Sequence, residues 1–258
     1  MKSLEGRVAV VTGAGSGIGK AAAILLAKQG VKLAALDFSQ DELNQSSEEI
    51  KQNGGTVLPL VVDVSNPEQM QKAIQQTGDK FGRIDFVFAN AGINGVLAPL
   101  EDLDPDEWDK ILDTNLKGTF LTVKYAVPFL KKQGGAVVIT ASVNGTRNFS
   151  NTGASAYSSS KAGQVAFAKM IALELAEWKI RVNAICPGAI RTNIETKTEH
   201  RNTDEIKIPV EFPEKVAALE PGTAEDVAEL VLFLMSDSSK HISGSEIWID
   251  AGGSLLVG

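Results

Sequence analysis

Tyr157 and Lys161 stand four residues apart in the sequence YSSSK, the spacing at which two side chains share one face of a helix. An ammonium group beside a phenol stabilises the phenolate and lowers a pKa that starts near ~10, so the tyrosine becomes a general base at neutral pH. Ser142, at the end of the preceding predicted strand, offers a hydroxyl that could hold a substrate carbonyl oxygen. Because such pairs also occur by chance on exposed helices, the acid–base interpretation depends on what the rest of the chain supplies.

A glycine-rich turn gives that interpretation its first support. The sequence TGAGSGIG, Thr12–Gly19, joins the first predicted strand to the first predicted helix. Glycines at such a junction allow a tight turn and close approach of the backbone to a pyrophosphate, and the helix N-terminus offers free N–H groups and the positive end of its dipole. The turn therefore predicts a dinucleotide cofactor. Its expected contacts are Gly13, Gly15, Ser16, Gly17, Ile18 and Gly19.

An acidic residue after the second predicted strand selects between the two nicotinamide dinucleotides. Asp37 lies 18 residues beyond Gly19, where a carboxylate can accept hydrogen bonds from the adenosine ribose and repels the 2′-phosphate of NADP. Its neighbours, Phe38 among them, include no arginine to bind that phosphate. A solvated acid at a strand end is the alternative. The pattern predicts NAD, with Asp37 and Phe38 beside the adenosine.

Short β-branched runs alternate with helical periodicity along the chain, which predicts an α/β fold. The predicted strands are Arg7–Thr12, Val31–Leu36, Thr56–Val62, Ile84–Ala89, Ala136–Ala141, Ile180–Ile185 and Glu246–Ile249. The predicted helices are Ile18–Gly30, Asp41–Asn53, Asn66–Phe81, Asp106–Lys132, Ala156–Trp178 and Thr223–Met235. We expect a Rossmann-type, doubly wound sheet of seven mostly parallel strands with helices on both faces, in a single domain over residues 1–258. Residues 191–215 are polar and lack periodicity, which predicts a substrate lid.

Composition restricts the function classes further. The chain has 258 residues, a formal net charge of −7 and no basic run, so nucleic acid is not an expected partner. No apolar run approaches the ~20 residues of a membrane-spanning helix, and the N-terminal residues do not read as a secretory signal. We therefore expect no membrane contact and a cytoplasmic location. The single cysteine, Cys186, is expected to be buried and unreactive, and the two histidines, His200 and His241, predict no metal site.

Further motifs, in order along the chain, resemble those of the classical short-chain dehydrogenase/reductase family, and the resemblance covers nearly all of the sequence. The matching residues are the glycine turn, Asp63-Val64, Asn90-Ala91-Gly92, Asn115, Ser142, Tyr157 with Lys161, and Pro187-Gly188 followed by Thr192. The resemblance implies a catalytic set of Asn115, Ser142, Tyr157 and Lys161, in which the asparagine holds a water on a proton path from the lysine. The further cofactor contacts that it implies are Asp63, Val64, Asn90, Ala91, Gly92, Tyr157, Lys161, Pro187, Gly188, Ile190 and Thr192.

The predicted reaction is reversible hydride transfer between NAD and a small secondary alcohol or ketone. Three other functions stay open: NADP-dependent reduction of carrier-bound 3-oxoacyl groups by the same catalytic residues, a non-catalytic NAD-binding sensor, and a purely structural or scaffolding protein. A polyol, a sugar, a hydroxy ketone and a short acyl group fit the sequence equally. Ser142 and Tyr157 are 15 positions apart, about two more than in relatives of the family, and the extra residues are expected near Asn148–Thr152, beside the substrate.

Two predicted helices carry more apolar surface than one sheet can cover. Val165–Leu173 reads VAFAKMIAL, with Lys169 as the only charge, and Asp106–Lys132 spreads its apolar residues beyond one stripe. Copies of these helices could pack about a two-fold axis. Family resemblance implies a tetramer with a second interface near Glu246–Gly258, so we expect a homotetramer, with a dimer as the alternative.

Overall fold

The computed structural model describes residues 4–149, 152–207 and 220–257 of the chain. Within them, seven strands form one sheet in which every pairing is parallel. The strands are β1 (Val8–Thr12), β2 (Lys32–Asp37), β3 (Val57–Val61), β4 (Phe86–Ala89), β5 (Gly135–Thr140), β6 (Ile180–Pro187) and β7 (Glu246–Ile249). Their order is β7-β6-β5-β4-β1-β2-β3. The predicted seven-stranded sheet is confirmed.

Helices cover both faces of this sheet, as the sequence predicts. The helices are α1 (Gly17–Lys28), α2 (Gln40–Gln52), α3 (Pro67–Phe81), α4 (Pro105–Leu112), α5 (Gly118–Leu130), α6 (Ser155–Glu174) and α7 (Ala224–Met235). One core cluster buries α3, α5 and α6, with Met70, Leu121 and Ile171 among its residues. The other buries α1, α2 and α7 against the opposite face, through residues such as Leu26 and Leu43. The strands between them are almost wholly apolar, because both of their faces are buried.

Local sequence explains where several helices begin. The Asn66 side chain accepts hydrogen bonds from the amides of Glu68 and Gln69, and Pro67 occupies the first helical position of α3. Both features are expected from the residue types, since proline has no N–H to leave unpaired at that position. Ser39 caps α2 in the same way. The start of α2 lies directly after Asp37, so this cap fixes the chain beside the predicted cofactor residue.

The long helix predicted over Asp106–Lys132 is wrong as a single element. It is divided into α4 and α5 by a π-helical turn, Asp113–Lys117, which contains Asn115. Pro128 lies inside α5, which ends two residues later at Leu130. The extra residue of a π turn changes the direction in which side chains leave the helix, and such turns are frequent at functional sites. Apolar periodicity continues through the turn, which is why the sequence pattern concealed it.

The predicted lid contains short strands that its sequence did not indicate. Ile190–Arg191 pairs with Gly222–Thr223, and Glu199–His200 pairs with Val96–Leu97. These pairings attach the first part of the segment to the region after β4 and to the start of α7. Residues 208–215 of the predicted lid, and residues 150–151 of the loop before Tyr157, lie outside the described residues.

Candidate active site

A cleft of about 1180 Å³ opens at the carboxyl ends of the parallel strands. Strand order runs outward from β1 in both directions, which makes the edge beside β1 and β4 the topological switch point where α/β sheets bind ligands. Of the residues predicted to contact the cofactor, all but Gly15 and Gly19 line this cleft, and so do Ser142, Tyr157 and Lys161. Segments far apart in sequence thus meet in one place.

Gly19 packs against the backbone of Gly13 in the glycine turn and does not line the cleft. A Cβ atom at this position would lie 1.9 Å from the carbonyl oxygen of Gly13, so no other residue fits there. Gly13 and Gly17 adopt φ angles of +67° and +51°, the left-handed region that favours glycine. Helix α1 begins at Gly17, and Ser16 gives its first turn no side-chain cap. The amides of that turn are therefore available to an anionic ligand.

Asp37 is held rigidly where it lines the cleft at the end of β2. One carboxylate oxygen accepts a hydrogen bond from the Gly15 amide at 2.8 Å, and the other accepts one from the Ser39 amide at 2.9 Å. A Cβ atom at Gly15 would come within 2.9 Å of both the Asp37 carboxylate and Glu42. Gly15 thus places the glycine turn directly against Asp37. Two backbone amides fix the direction of this carboxylate, which keeps lone pairs that can accept hydrogen bonds from a ligand.

A polar network joins the strands behind the cleft. The Thr12 hydroxyl accepts hydrogen bonds from the amides of Asn90 and Ala91, at 2.9 and 3.1 Å. The Asn90 carboxamide donates to the Thr12 carbonyl and accepts from the Thr140 hydroxyl at 3.0 Å. These bonds connect the ends of β1, β4 and β5. Asn90 therefore supports the floor of the cleft as well as lining it.

The three groups expected to do the chemistry converge at the end of β5. Ser142 follows that strand and caps a single helical turn, Val143–Thr146, by accepting a hydrogen bond from the Asn144 amide at 3.2 Å. The hydroxyls of Ser142 and Tyr157 are hydrogen-bonded to each other. Lys161 is 3% exposed, and its ammonium donates to the Thr140 carbonyl at 2.9 Å. The same ammonium lies 5.5 Å from the centre of the Tyr157 ring.

Burial dominates the acid–base properties of this cluster. It raises the pKa of Tyr157, and the hydrogen bond from Ser142 only partly offsets that rise. Burial also lowers the pKa of Lys161 to about 8. The prediction that Lys161 holds the pKa of Tyr157 below its ordinary value is therefore wrong for the protein alone. Lys161 donates to a backbone carbonyl instead of the phenol, and loss of water disfavours the charged form of each group.

Asn115 lies outside the cleft lining and is completely buried. Its carboxamide accepts from the Ile93 amide at 2.8 Å and donates to the Ile93 carbonyl at 2.9 Å and to the Ser160 hydroxyl at 3.0 Å. The backbone carbonyl of Asn115 accepts hydrogen bonds from the Thr119 hydroxyl and the Gln164 side-chain amide. The side chain thus clamps the segment after β4 onto α6 beside Tyr157 and Lys161. The water-holding role implied by the resemblance remains a prediction.

Ion pairs across the cleft were not indicated by the sequence. Lys197, in the lid, donates to the Glu42 carboxylate of α2 at 2.7 Å. Arg201 binds Glu107 at the start of α4, with a shortest distance of 2.6 Å, and also Glu199. The Lys197–Glu42 pair attaches the lid to α2, and the Arg201–Glu107 pair attaches it to α4. Glu42 and Lys197 line the cleft itself, so they join the candidate site residues.

Cys186 and the two histidines lie in surroundings that differ from those of the catalytic cluster. Cys186 is fully buried, which confirms that part of the prediction, and burial raises the pKa of its thiol to about 12. His200 is exposed and contacts Glu195 at 3.0 Å, while His241 is exposed rather than part of the packing. Over the described ranges 4–149, 152–207 and 220–257, no cluster of three potential metal ligands occurs. Nor do those ranges hold a helix with the length and apolarity to cross a membrane.

Comparison with known proteins identifies the family. A model described as Enoyl-(Acyl carrier protein) reductase matches residues 13–254. The 3-oxoacyl-acyl-carrier-protein reductase of Thermotoga maritima is 38% identical over 253 residues, 96% of this chain and 98% of the relative. A solved 3-ketoacyl-ACP reductase from Sinorhizobium meliloti 1021 is 50% identical with a TM-score of 0.91, covering 96% of this chain and 99% of that one. A carveol dehydrogenase from Mycobacterium avium, in complex with NAD, is 27% identical with a TM-score of 0.88, covering 99% and 100%.

The fold and the cleft define an oxidoreductase of the nicotinamide-dependent class, which acts on CH–OH and ketone groups. The chain belongs to the classical short-chain dehydrogenase/reductase family.

Proposed function

We propose that the protein catalyses reversible hydride transfer between NAD and a small secondary alcohol or its ketone. The observation that carries this proposal is the convergence of Ser142, Tyr157 and Lys161 at one end of a cleft whose other end holds Asp37. When bound, the nicotinamide supplies the hydride acceptor and a positive ring charge. The protein contributes position, proton transfer and exclusion of water.

Tyr157 is the proposed general base for alcohol oxidation and the general acid for ketone reduction. Its hydroxyl already shares a hydrogen bond with Ser142, so a substrate oxygen placed between these two groups contacts both. Ser142 then holds that oxygen while Tyr157 takes or returns its proton. Positive charge at Lys161 and on the bound cofactor opposes the effect of burial and brings the pKa of Tyr157 down in the complex. Lys161 is also proposed to bind the nicotinamide ribose.

Asp37 is the reason for proposing NAD rather than NADP. Its carboxylate is fixed by the amides of Gly15 and Ser39, so it cannot swing away from a 2′-phosphate without losing both hydrogen bonds. The like charge of a 2′-phosphate beside this carboxylate disfavours NADP. Glu42, whose Cβ lies next to the glycine turn, is paired with Lys197 and adds little to that repulsion. A relative that carries NAD in its solved complex agrees with this choice.

The second candidate is NADP-dependent reduction of carrier-bound 3-oxoacyl groups. The names of the Thermotoga and Sinorhizobium relatives favour it, and it needs the same catalytic residues. Amide side chains of Asn94, Asn144 and Asn148 line the cleft beside the apolar Val143 and Ile194, and the charged Lys110, Arg191 and Lys197 line it as well. The amide and apolar groups suit a molecule with hydroxyl or carbonyl groups on a compact carbon skeleton, which is the support for the first candidate.

A cofactor and substrate matrix tests the proposal. NAD and NADP are each combined with a panel of secondary alcohols, polyols and sugars, and NADH and NADPH with ketones and a 3-oxoacyl thioester. Turnover with NAD or NADH on small substrates is expected. Turnover restricted to NADPH and the thioester would replace the proposal with the second candidate. NAD binding by calorimetry without turnover on any substrate would favour a sensor.

We also propose that the chain is a single domain, that it acts in the cytoplasm, and that it assembles as a homotetramer. Apolar side chains of α5 and α6 support the assembly: Phe120 is 41% exposed, Met170 61% and Leu173 79%. The rings of Phe120 and Phe167 contact edge-to-face at 6.2 Å, which joins the two helices into one apolar surface. A second copy about a two-fold axis would cover it.

A further inference from the structure

The turn that carries Ser142 is docked on the C-terminal edge strand of the sheet. We define the serine turn as residues 142–147 and the β7 face as Glu246, Trp248 and Asp250. Alternate residues of a strand point to the same side, so Glu246 and Trp248 share one face, and Asp250 follows directly after the strand and interacts with the same turn through Arg147. We propose that the β7 face is a positioning element that fixes Ser142 against Tyr157, an inference that rests on the proposed function.

Gly145 sets the distance between the serine turn and α6. A Cβ atom at Gly145 would lie 2.8 Å from the Lys161 carbonyl carbon and 2.9 Å from the Ala162 nitrogen. The backbone of the turn therefore rests on the backbone of α6 at the catalytic lysine. Contact on this side alone fixes how close the turn lies to α6 but leaves it free to slide or rotate.

The first contact with the β7 face prevents such sliding. The Thr146 hydroxyl donates to the Glu246 carboxylate, and Lys169 of α6 donates to the same carboxylate at 2.9 Å. The Glu246 side chain is only 10% exposed, so its direction is restricted. One carboxylate thus joins the turn, the edge strand and the helix that carries Tyr157 and Lys161.

The second contact lies one residue further along the turn. The Arg147 guanidinium stacks 3.6 Å from the centre of the Trp248 ring, within the range of a cation–π interaction. Arg147 also interacts electrostatically with Asp250. Consecutive residues of the turn therefore contact successive residues of the β7 face.

Asp250 extends this support to the opposite wall of the cleft. Its carboxylate accepts hydrogen bonds from the amides of Gly252 and Ser254, both at 3.0 Å, so the residue is fixed. A Cβ atom at Gly188 would lie 2.7 Å from the Asp250 Cβ, so Gly188 packs directly on it. The β7 face thus supports the serine turn on one side and Gly188, a predicted cofactor contact, on the other.

A matched pair of substitutions at Thr146 tests the proposal. Thr146 is exposed, so neither change endangers folding. Thr146→Val keeps the shape and removes the hydroxyl, whereas Thr146→Ser keeps the donor. Since a displacement of ~1 Å can reduce turnover by ~100-fold, we expect kcat of Thr146→Val to fall by about tenfold, with unchanged Kd for NAD. Thr146→Ser should stay within about twofold of the native enzyme.

Two further measurements distinguish a displacement of Ser142 from a non-specific loss of activity in Thr146→Val. Displacing Ser142 weakens the hydrogen bond that lowers the pKa of Tyr157, so the pH profile of alcohol oxidation by Thr146→Val should shift to higher pH. Hydrogen exchange of the Asn144 amide, which is bonded to the Ser142 hydroxyl, should become faster. The exchange measurement needs no substrate and so tests the docking even if the proposed reaction is wrong. Native kcat, pH profile and Asn144 exchange in Thr146→Val would overturn the proposal.

Discussion

Replacing Lys161 by methionine should make the protein more stable while it abolishes activity. The native side chain is 3% exposed, and methionine has a similar length without a charge. Burial lowers the pKa of Lys161 from its ordinary 10.5 to about 8. The folded protein therefore holds this proton less tightly than the unfolded chain does, and at neutral pH the buried charge opposes folding.

The size of the effect follows from those two pKa values. They differ by about 2.5, and each unit corresponds to about 1.36 kcal/mol, so the charge at Lys161 reduces the free energy of unfolding at pH 7 by about 3 kcal/mol. Methionine removes that penalty but also loses the hydrogen bond to the Thr140 carbonyl, worth about 1 kcal/mol. The net expected gain at pH 7 is about 2 kcal/mol, or ~4–8 °C in Tm for a chain of this length.

The lowered pKa of Lys161 also determines how the free energy of unfolding changes with pH. Between pH 8 and 10.5 the unfolded chain binds more protons at this position than the folded protein does, so native stability rises with pH across that window. The advantage of Lys161→Met should therefore shrink from pH 8 upwards, vanish below pH 10.5 and then reverse, because the loss of the hydrogen bond to the Thr140 carbonyl remains. Denaturant unfolding at fixed protein concentration measures this, with the exposed Lys72→Met as a control that should stay within about 0.5 kcal/mol. A variant less stable than the native protein at pH 7 would refute the reasoning.

Three further predictions follow from other parts of the site. Asp37→Ala should weaken NAD binding and reduce discrimination against NADP, because it removes a fixed carboxylate from the ribose end; unchanged ratios of kcat/KM for the two cofactors would contradict this. Trypsin should cut the ligand-free lid at Lys197 or Arg201 before other sites, and NAD with substrate should slow that cleavage; equal rates would argue against a lid. Met170→Glu should reduce the mass of the assembly in light scattering, since Met170 lies on the exposed face of α6, and an unaltered tetramer would place the interface elsewhere.

Residues at strand ends were the most predictable part of the site. Parallel strands bring their carboxyl ends to one edge, so the glycine turn, Asp37 and Ser142 had to meet once the alternating pattern was recognised. Tyr157 and Lys161 were placed by helical spacing alone. The positions of these groups follow from local patterns, which a single sequence contains in full.

Contacts between distant segments could not be predicted in this way. Thr146 and Glu246 are 100 residues apart, and Glu42 and Lys197 are 155 apart, so no periodicity connects them. The π turn at Asn115 continues the apolar pattern of the helices around it. The direction of the Lys161 ammonium, towards the Thr140 carbonyl, depends on the packing of α6 against β5. Burial of Tyr157, which also depends on that packing, raises its pKa where the sequence predicted a fall.

Tyr157 is proposed to transfer the substrate proton in an NAD-dependent reaction. The most direct test compares steady-state turnover of the native enzyme and Tyr157→Phe, followed by the absorbance of reduced nicotinamide, on the best substrate of the panel. We expect a loss of at least ~100-fold in kcat, because general acid–base groups contribute roughly 10²–10⁴-fold, with little change in Kd for NAD. Turnover by Tyr157→Phe close to that of the native enzyme would contradict it.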